Sequence, residues 1–212
     1  MRDAAGGRSQ LDGNAGISGA FRSENRETKR GGRGTIDGMT PPAPAALTLS
    51  RLESPIGPLA LACDAANVVR GLSFGDGLIT AMRRDYPGAI LNNGEAPAAA
   101  AREIGAYFDG DRAALGRVPW SLDGAATEGI QPRVWRALAE VPAGVTISYG
   151  EMARRAGEPG AAQAAGTALN RNPIPLVLAC HRVVGADGSL TGFGGGLERK
   201  GWLLRHEGAL LL

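Results

Sequence analysis

The first 46 residues carry nine glycines, three prolines and almost no periodic aliphatic residues. Such a stretch cannot bury enough apolar surface to offset the entropy of ordering it, so it reads as a disordered tail. That leaves residues 47–212 to build the fold, enough for one domain or two small ones. The tail's basic residues are interspersed with Asp3, Asp12, Glu24, Glu27 and Asp37, unlike a transit peptide, and no apolar stretch resembles a signal peptide. Nowhere does an apolar run approach the roughly 18 residues a membrane-spanning helix needs, so no membrane association is expected.

The reactive side chains are few. Cys63 and Cys180 are the two cysteines, and His181 and His206 the two histidines. That is too few for a dedicated Cys/His zinc site, and it makes a disulfide scaffold equally unsuitable. Charge is uneven along the chain: residues 47–129 hold seven basic and ten acidic side chains, whereas 130–205 hold nine and five. A positive second half suits a polyanionic partner, although scattered solvated arginines would give the same count.

Residues 47–74 alternate apolar and polar positions in short runs broken by SPIGP and DAAN, which predicts three β-strands in a meander with Cys63 as a core thiol. Ile104, Tyr107 and Phe108 stand at helical spacing in AAAREIGAYF, and residues 109–129 read as an aperiodic connection holding the domain boundary. Gln131-Pro132 opens a helix whose buried stripe is Val134, Trp135, Leu138 and Val141. Ser148 and Glu151 have capping-box spacing at the start of a helix that ends at Gly157, and Glu158-Pro159 starts another, which together predict a helix-turn-helix. The second of these, GAAQAAGTALNR over 160–171, is so thin that its backbone suits either close approach to a DNA minor groove or tight packing inside the protein. Ile174 to Ala179 reads as a buried strand delivering Cys180, with His181 next to it. A thiolate and a nearby imidazole are the minimum apparatus of a nucleophilic cysteine, yet adjacent side chains on a strand point to opposite faces.

Five blocks, IQPRVW, GVTISYGEMA, GEPGAAQAAGTALNRNPIP, CHRVVGADGSLTGFGGGLERK and LLRHEG, resemble in order and spacing the O6-alkylguanine-DNA alkyltransferases. The likeness is dense over about residues 130–209 and looser over 52–74 and EIGAYFDG. It implies an α/β protein, with a small ribonuclease-H-like N-terminal domain at 47–123 and a mainly helical C-terminal domain with a helix-turn-helix at 124–212. It also implies a DNA-repair reagent that flips an alkylated guanine from the duplex and takes the alkyl group once and irreversibly. O4-alkylthymine is a second candidate lesion.

Carried over by residue, Cys180 corresponds to the acceptor, His181 to a base acting through a water, Glu207 to the acid orienting it and Asn172 to a brace of the active-site turn. Tyr149 takes the position that presses on the lesion's 3′ phosphate, while Phe193 and Gly194 belong to the substrate pocket. The minor-groove helix presents Ala162, Gln163, Gly166, Thr167, Asn170 and Arg171. The family likeness further implies double-stranded DNA as partner, no metal or cofactor, a monomer and a cytoplasmic location. Three positions depart from the family pattern: Ala179 replaces a proline, Gln163 an intercalating arginine, and Phe193 a pocket tyrosine. The residues alone leave open a noncatalytic lesion-binding module that recruits other repair factors, and a Cys-His hydrolase.

Overall fold

The computed structural model describes residues 43–210, which all fall within one compact unit. Residues 1–42 of the tail expected at 1–46 lie outside the described residues, and β1 (Ala46–Leu52) begins at the last residue of that expected tail. β2 (Leu59–Cys63) and β3 (Val69–Ser73) follow as the expected antiparallel meander.

The sheet has a fourth strand that the sequence reading left unassigned. After β3 the chain forms α1 (Leu78–Asp85) and returns as β4 (Ile90–Asn93), parallel to β1, giving the order β3-β2-β1-β4. The alternation of side chains along β2 sorts the two faces. Ala60 and Ala62 face α1 in a cluster with Leu47, Leu78, Met82 and Tyr86, whereas Leu59, Leu61 and Cys63 join the main core. Small residues on the α1 side let the helix lie close. At Gly71 a Cβ atom would sit 2.3 Å from the Met82 terminal methyl, so that methyl fills the space a side chain would take.

Beyond α2 (Ala98–Phe108) the connection 109–129 has more structure than expected: a 3-10 turn at Ala114–Arg117, and a leg that bridges β3. Val69 donates its N–H to the Pro119 carbonyl at 2.9 Å and accepts from Ser121 N–H at 3.1 Å. α3 (Gln131–Ala139) buries Val134, Trp135 and Leu138 of the expected stripe, Val141 is buried just beyond the helix end, and the Trp135 indole donates to the Ala168 carbonyl at 2.9 Å.

After β5 (Ile147–Ser148) come α4 (Tyr149–Arg155) and α5 (Ala162–Asn170), the pair read as a helix-turn-helix. Half of the capping box forms. Ser148 Oγ accepts from Glu151 N–H, but the Glu151 carboxylate turns to Arg154 and Arg155. Residues 158–161 are turn rather than helix, so α5 starts later than Glu158-Pro159 suggested.

The expected strand at 174–179 is not one. Leu176 takes a φ of 79°, Leu178 N–H donates to the Ile174 carbonyl at 3.0 Å, and Cys180–Arg182 is a 3-10 turn leading into β6 (Val183–Val184), which pairs in parallel with β5. Pro173 and Pro175 supply the reason, since neither can donate to a ladder. The buried loop instead satisfies its backbone through Asn172, whose Oδ1 accepts from Ile174 N–H at 3.1 Å and whose Nδ2 donates to the Leu178 carbonyl at 2.7 Å. α6 (Leu197–His206) closes the described fold.

The close approach of α1 to the sheet gives a test. Gly71→Val drives a branched side chain into the Met82 methyl, with an expected loss of about 1–3 kcal/mol. Met82→Ala alone costs about 2–5 kcal/mol. Because the first substitution clashes with the atoms the second removes, the double variant should be clearly more stable than the sum of the two, as read from urea denaturation midpoints.

Candidate active site and DNA-facing surface

Glu207 follows the last turn of α6 and is fully buried. An ionised carboxylate there has to be surrounded by donors, and it is. Oε1 accepts from His181 Nε2 at 3.0 Å, the Tyr107 hydroxyl at 3.0 Å and Arg182 Nη2 at 2.7 Å, while Oε2 accepts from Arg182 Nε at 2.9 Å and Gly144 N–H at 3.3 Å. Burial alone would raise its pKa, but the His181 and Arg182 hydrogen bonds outweigh that and hold it well below the usual carboxylate range.

The ionised Glu207 sets the histidine's tautomer. It can only accept, so His181 Nε2 carries the hydrogen and Nδ1 presents its lone pair, with no protein partner. Burial pushes the imidazole pKa down against the pull of Glu207, so the ring is neutral at pH 7. In the 3-10 turn, side chains one apart are rotated by roughly 120° rather than set on opposite faces, and this removes the objection raised by a strand reading of Cys180 and His181.

Burial pushes the Cys180 thiol up to about 11, against an Asn172 hydrogen bond and the Lys200 charge, both of which lower it. Lys200 is itself fully buried, donating to the Val183 and Thr191 carbonyls at 2.6 Å each, and burial brings its pKa down to about 8. At neutral pH the resting cysteine is therefore a thiol that needs a base. Cys63, by contrast, lies in the core and is raised to about 12 by burial and the neighbouring Asp64.

The missing proline before Cys180 costs the turn little. Ala179 has φ −74° and ψ 64°, and Cys180 N–H donates to the Leu178 carbonyl at 2.7 Å. That is an inverse γ-turn at a backbone energy minimum, with a φ proline would also adopt.

A cavity of about 360 Å³ opens on Cys180, lined also by Asn172, Leu169, Asn170, Pro175, Phe193 and Gly194, and on the far side by Ser73, Phe74 and Gly75 from the sheet domain. Phe193 and Gly194 therefore share one cavity with Cys180. Tyr149 does not line it. Its ring lies beside Gly166, where a Cβ would be 3.6 Å away, and its hydroxyl sits 3.0 Å from the Thr191 carbonyl and 3.1 Å from that of Gly192. α5 packs one face into the protein and leaves the other outward: Ala165, Ala168 and Leu169 are buried, while Gln163, Thr167 and Asn170 share the exposed side. Ala162 and Gly166 are half-buried at its margin, and Arg171 forms an exposed ion pair with Glu128 at 2.7 Å. Among the described residues no group of His, Cys, Asp or Glu is placed to hold a metal ion.

Sequence reasoning missed Arg182, Tyr107 and Lys200. Arg182 carried a signal, being a cation beside the apolar Val183 and Val184, whereas Lys200 follows two charged residues and Tyr107 comes from α2, one hundred residues from its partner.

Arg182→Met should destabilise by about 3–5 kcal/mol, because it strands a buried carboxylate. The folded pKa of Glu207 lies below its unfolded value of about 4.3. Its stabilisation is therefore complete above about pH 5 and is lost as pH falls toward the folded value. Denaturation midpoints followed from neutral to acid pH should show this decline, and Glu207→Gln, though less stable at pH 7, should flatten it.

Comparison with known proteins gives a consistent picture. Residues 129–209 match the family described as 6-O-methylguanine DNA methyltransferase, DNA binding domain. The methylated-DNA–protein-cysteine methyltransferase of Salmonella typhimurium is 36% identical over 173 residues, covering 76% of this chain and 96% of that protein, and the Mycobacterium leprae protein of that name is 46% identical over 156 residues, covering 74% and 89%. The Mycobacterium tuberculosis O6-methylguanine methyltransferase structure superposes with a TM-score of 0.60 at 35% identity, over 77% of this chain and 93% of that one. A crystal structure of M. tuberculosis OGT in complex with DNA gives a TM-score of 0.61 over 76% and 93%. With a mixed-sheet N-terminal domain, a helical C-terminal domain and relatives matched over nearly their whole length, the chain belongs to the methylated-DNA–protein-cysteine methyltransferase family.

Proposed function

We propose that this protein repairs DNA by transferring an alkyl group from O6-alkylguanine, flipped out of a duplex, to Cys180. The observation that carries the reading is the cavity opening on Cys180, next to a neutral His181 whose Nε2–H is committed to Glu207. In this reading the thiol proton passes to Nδ1, directly or through one water, and the thiolate attacks the alkyl carbon from behind. The carbon–O6 bond breaks as the sulfur–carbon bond forms. Guanine leaves as an anion, with the Gly194 and Gly195 amides on the pocket wall as donors to O6. Lys200 favours the thiolate by its charge. The thioether is stable, so one molecule acts once, and none of these steps calls for a cofactor.

The remaining assignments follow the same reading. Asn172 braces the loop that carries Cys180, and Tyr149 presses on the phosphate beside the lesion. The α5 face with Gln163, Thr167 and Asn170 lies in the minor groove, with Ala162 and Gly166 allowing close backbone approach and Arg171 exchanging Glu128 for a phosphate. The division into domains at 47–123 and 124–212, double-stranded DNA bearing alkylated bases as partner, and action as a monomer complete the proposal. No helix among the described residues is long and apolar enough to cross a membrane.

Intact-protein mass spectrometry after incubation with an O6-methylguanine duplex should show one added methyl group, on the Cys180 peptide. Cys63→Ser should still be methylated and Cys180→Ser should not, while still binding DNA. Methylation surviving in Cys180→Ser would overturn the assignment, and lesion binding without any adduct would favour the noncatalytic reading.

The relay has its own pH signature. With the thiol at about 11, His181→Ala should be slow at neutral pH and gain about tenfold in rate per pH unit as the thiolate fraction rises. The unmodified protein should depend on pH much less. A loss of equal factor at every pH would make His181 structural.

The substituted wedge position gives a third test. Gln163 is too short to fill the gap left by a flipped base and attracts no phosphate. Gln163→Arg should raise the rate on duplex DNA and steepen its salt dependence, while changing little on free O6-benzylguanine, where nothing has to be flipped. Equal acceleration of both, or of neither, would remove α5 from the extrusion step.

A further inference from the structure

The wall of the acceptor cavity facing the loop 191–196 that precedes α6, here called the lid, comes from the sheet domain, outside the segment that matches the DNA-binding family. Phe74 directly follows β3, and its ring lies 5.5 Å from that of Phe193 at an angle of 50°. Two features hold it there. Arg199 places its guanidinium 5.9 Å from the centre of the Phe74 ring while donating to the Ile56 carbonyl at 2.7 Å and the Gly195 carbonyl at 2.9 Å, which ties sheet domain and lid together. At Gly195 a Cβ would come within 2.6 Å of Phe193 and 2.7 Å of Phe74, so the lid lies flat against both rings, where a larger residue would push them apart.

A methyl group alone has little use for such a wall. The cavity's roughly 360 Å³ lies toward the lower end of ligand pockets, about 300–1,000 Å³, yet still exceeds what a purine with one methyl fills. Two aromatic faces set at an angle give an apolar or aromatic substituent edge and face contacts.

We propose that Phe74 is a specificity-determining residue of the transfer: its ring is the surface on which a bulky O6 substituent packs, so it sets how fast large groups are transferred relative to methyl. The proposal rests on Cys180 being the acceptor. It assigns the sheet domain a direct part in substrate choice.

The test uses the full chain and two duplexes identical except for O6-methylguanine or O6-benzylguanine at one position, so that DNA binding and base extrusion are shared. Single-turnover rates are read by mass spectrometry of the Cys180 adduct. Phe74→Ala should slow benzyl transfer about five- to tenfold more than it slows methyl transfer. Phe74→Leu, which keeps apolar volume and protects the fold, should show the same bias more weakly, and Phe74→Tyr should restore the original ratio. If both substrates slow by one factor, Phe74 only supports the lid and the proposal fails. It fails equally if neither rate changes. An unmodified protein that forms no adduct with either duplex overturns the transfer reading itself, an outcome distinct from a transferase whose benzyl-to-methyl ratio ignores Phe74.

Discussion

One buried carboxylate organises the molecule. Glu207 takes donors from α2, from the loop after α3 and from the turn that carries Cys180, so three distant parts of the chain meet on two oxygen atoms. Burying the charge is costly, and the bidentate Arg182 offsets that cost only in this geometry. Arg182 is fixed in turn by the Val141 carbonyl at 2.6 Å. The chemistry inherits the arrangement: because Glu207 can only accept, His181 is held in the one tautomer that leaves its other nitrogen free.

Around that centre the backbone is held by side chains rather than by regular structure. Asn172 takes the part of a missing strand partner for the buried loop 173–179, Lys200 occupies the carbonyls of Val183 and Thr191, and the Tyr149 hydroxyl meets the neighbouring carbonyls of the same lid. Each is a polar group satisfying buried or half-buried backbone where no ladder is available. Such construction leaves Cys180 at the floor of a cavity whose walls come from both domains.

Substitutions relative to the family pattern fall into two kinds. Ala179 and Phe193 change chemistry while leaving geometry in place: Ala179 sits in a γ-turn compatible with proline, and Phe193 keeps an aromatic wall against Phe74. Gln163 is different, because it stands on the exposed side of α5 rather than against the cavity.

What the sequence by itself determined was local or carried by motif. The meander at 47–74, the helix ending at Phe108, the stripe that begins at Val134 and the Ser148 cap all depend on spacings of a few residues, which periodicity and capping rules read directly. α1 and β4 escaped because the helix is eight residues long without a side-chain cap and the strand is four mostly exposed residues, so each exists only by packing or pairing with β1 and β2. The apolar run after Asn172 looked like a strand because burial was legible and the source of its hydrogen bonds was not. The meeting of Tyr107, Arg182 and Glu207, and of Phe74 with Phe193, was decided by tertiary structure alone. Contacts between residues about a hundred positions apart leave no periodic trace in a single sequence, and the need to satisfy a buried charge appears only once the chain has closed around it.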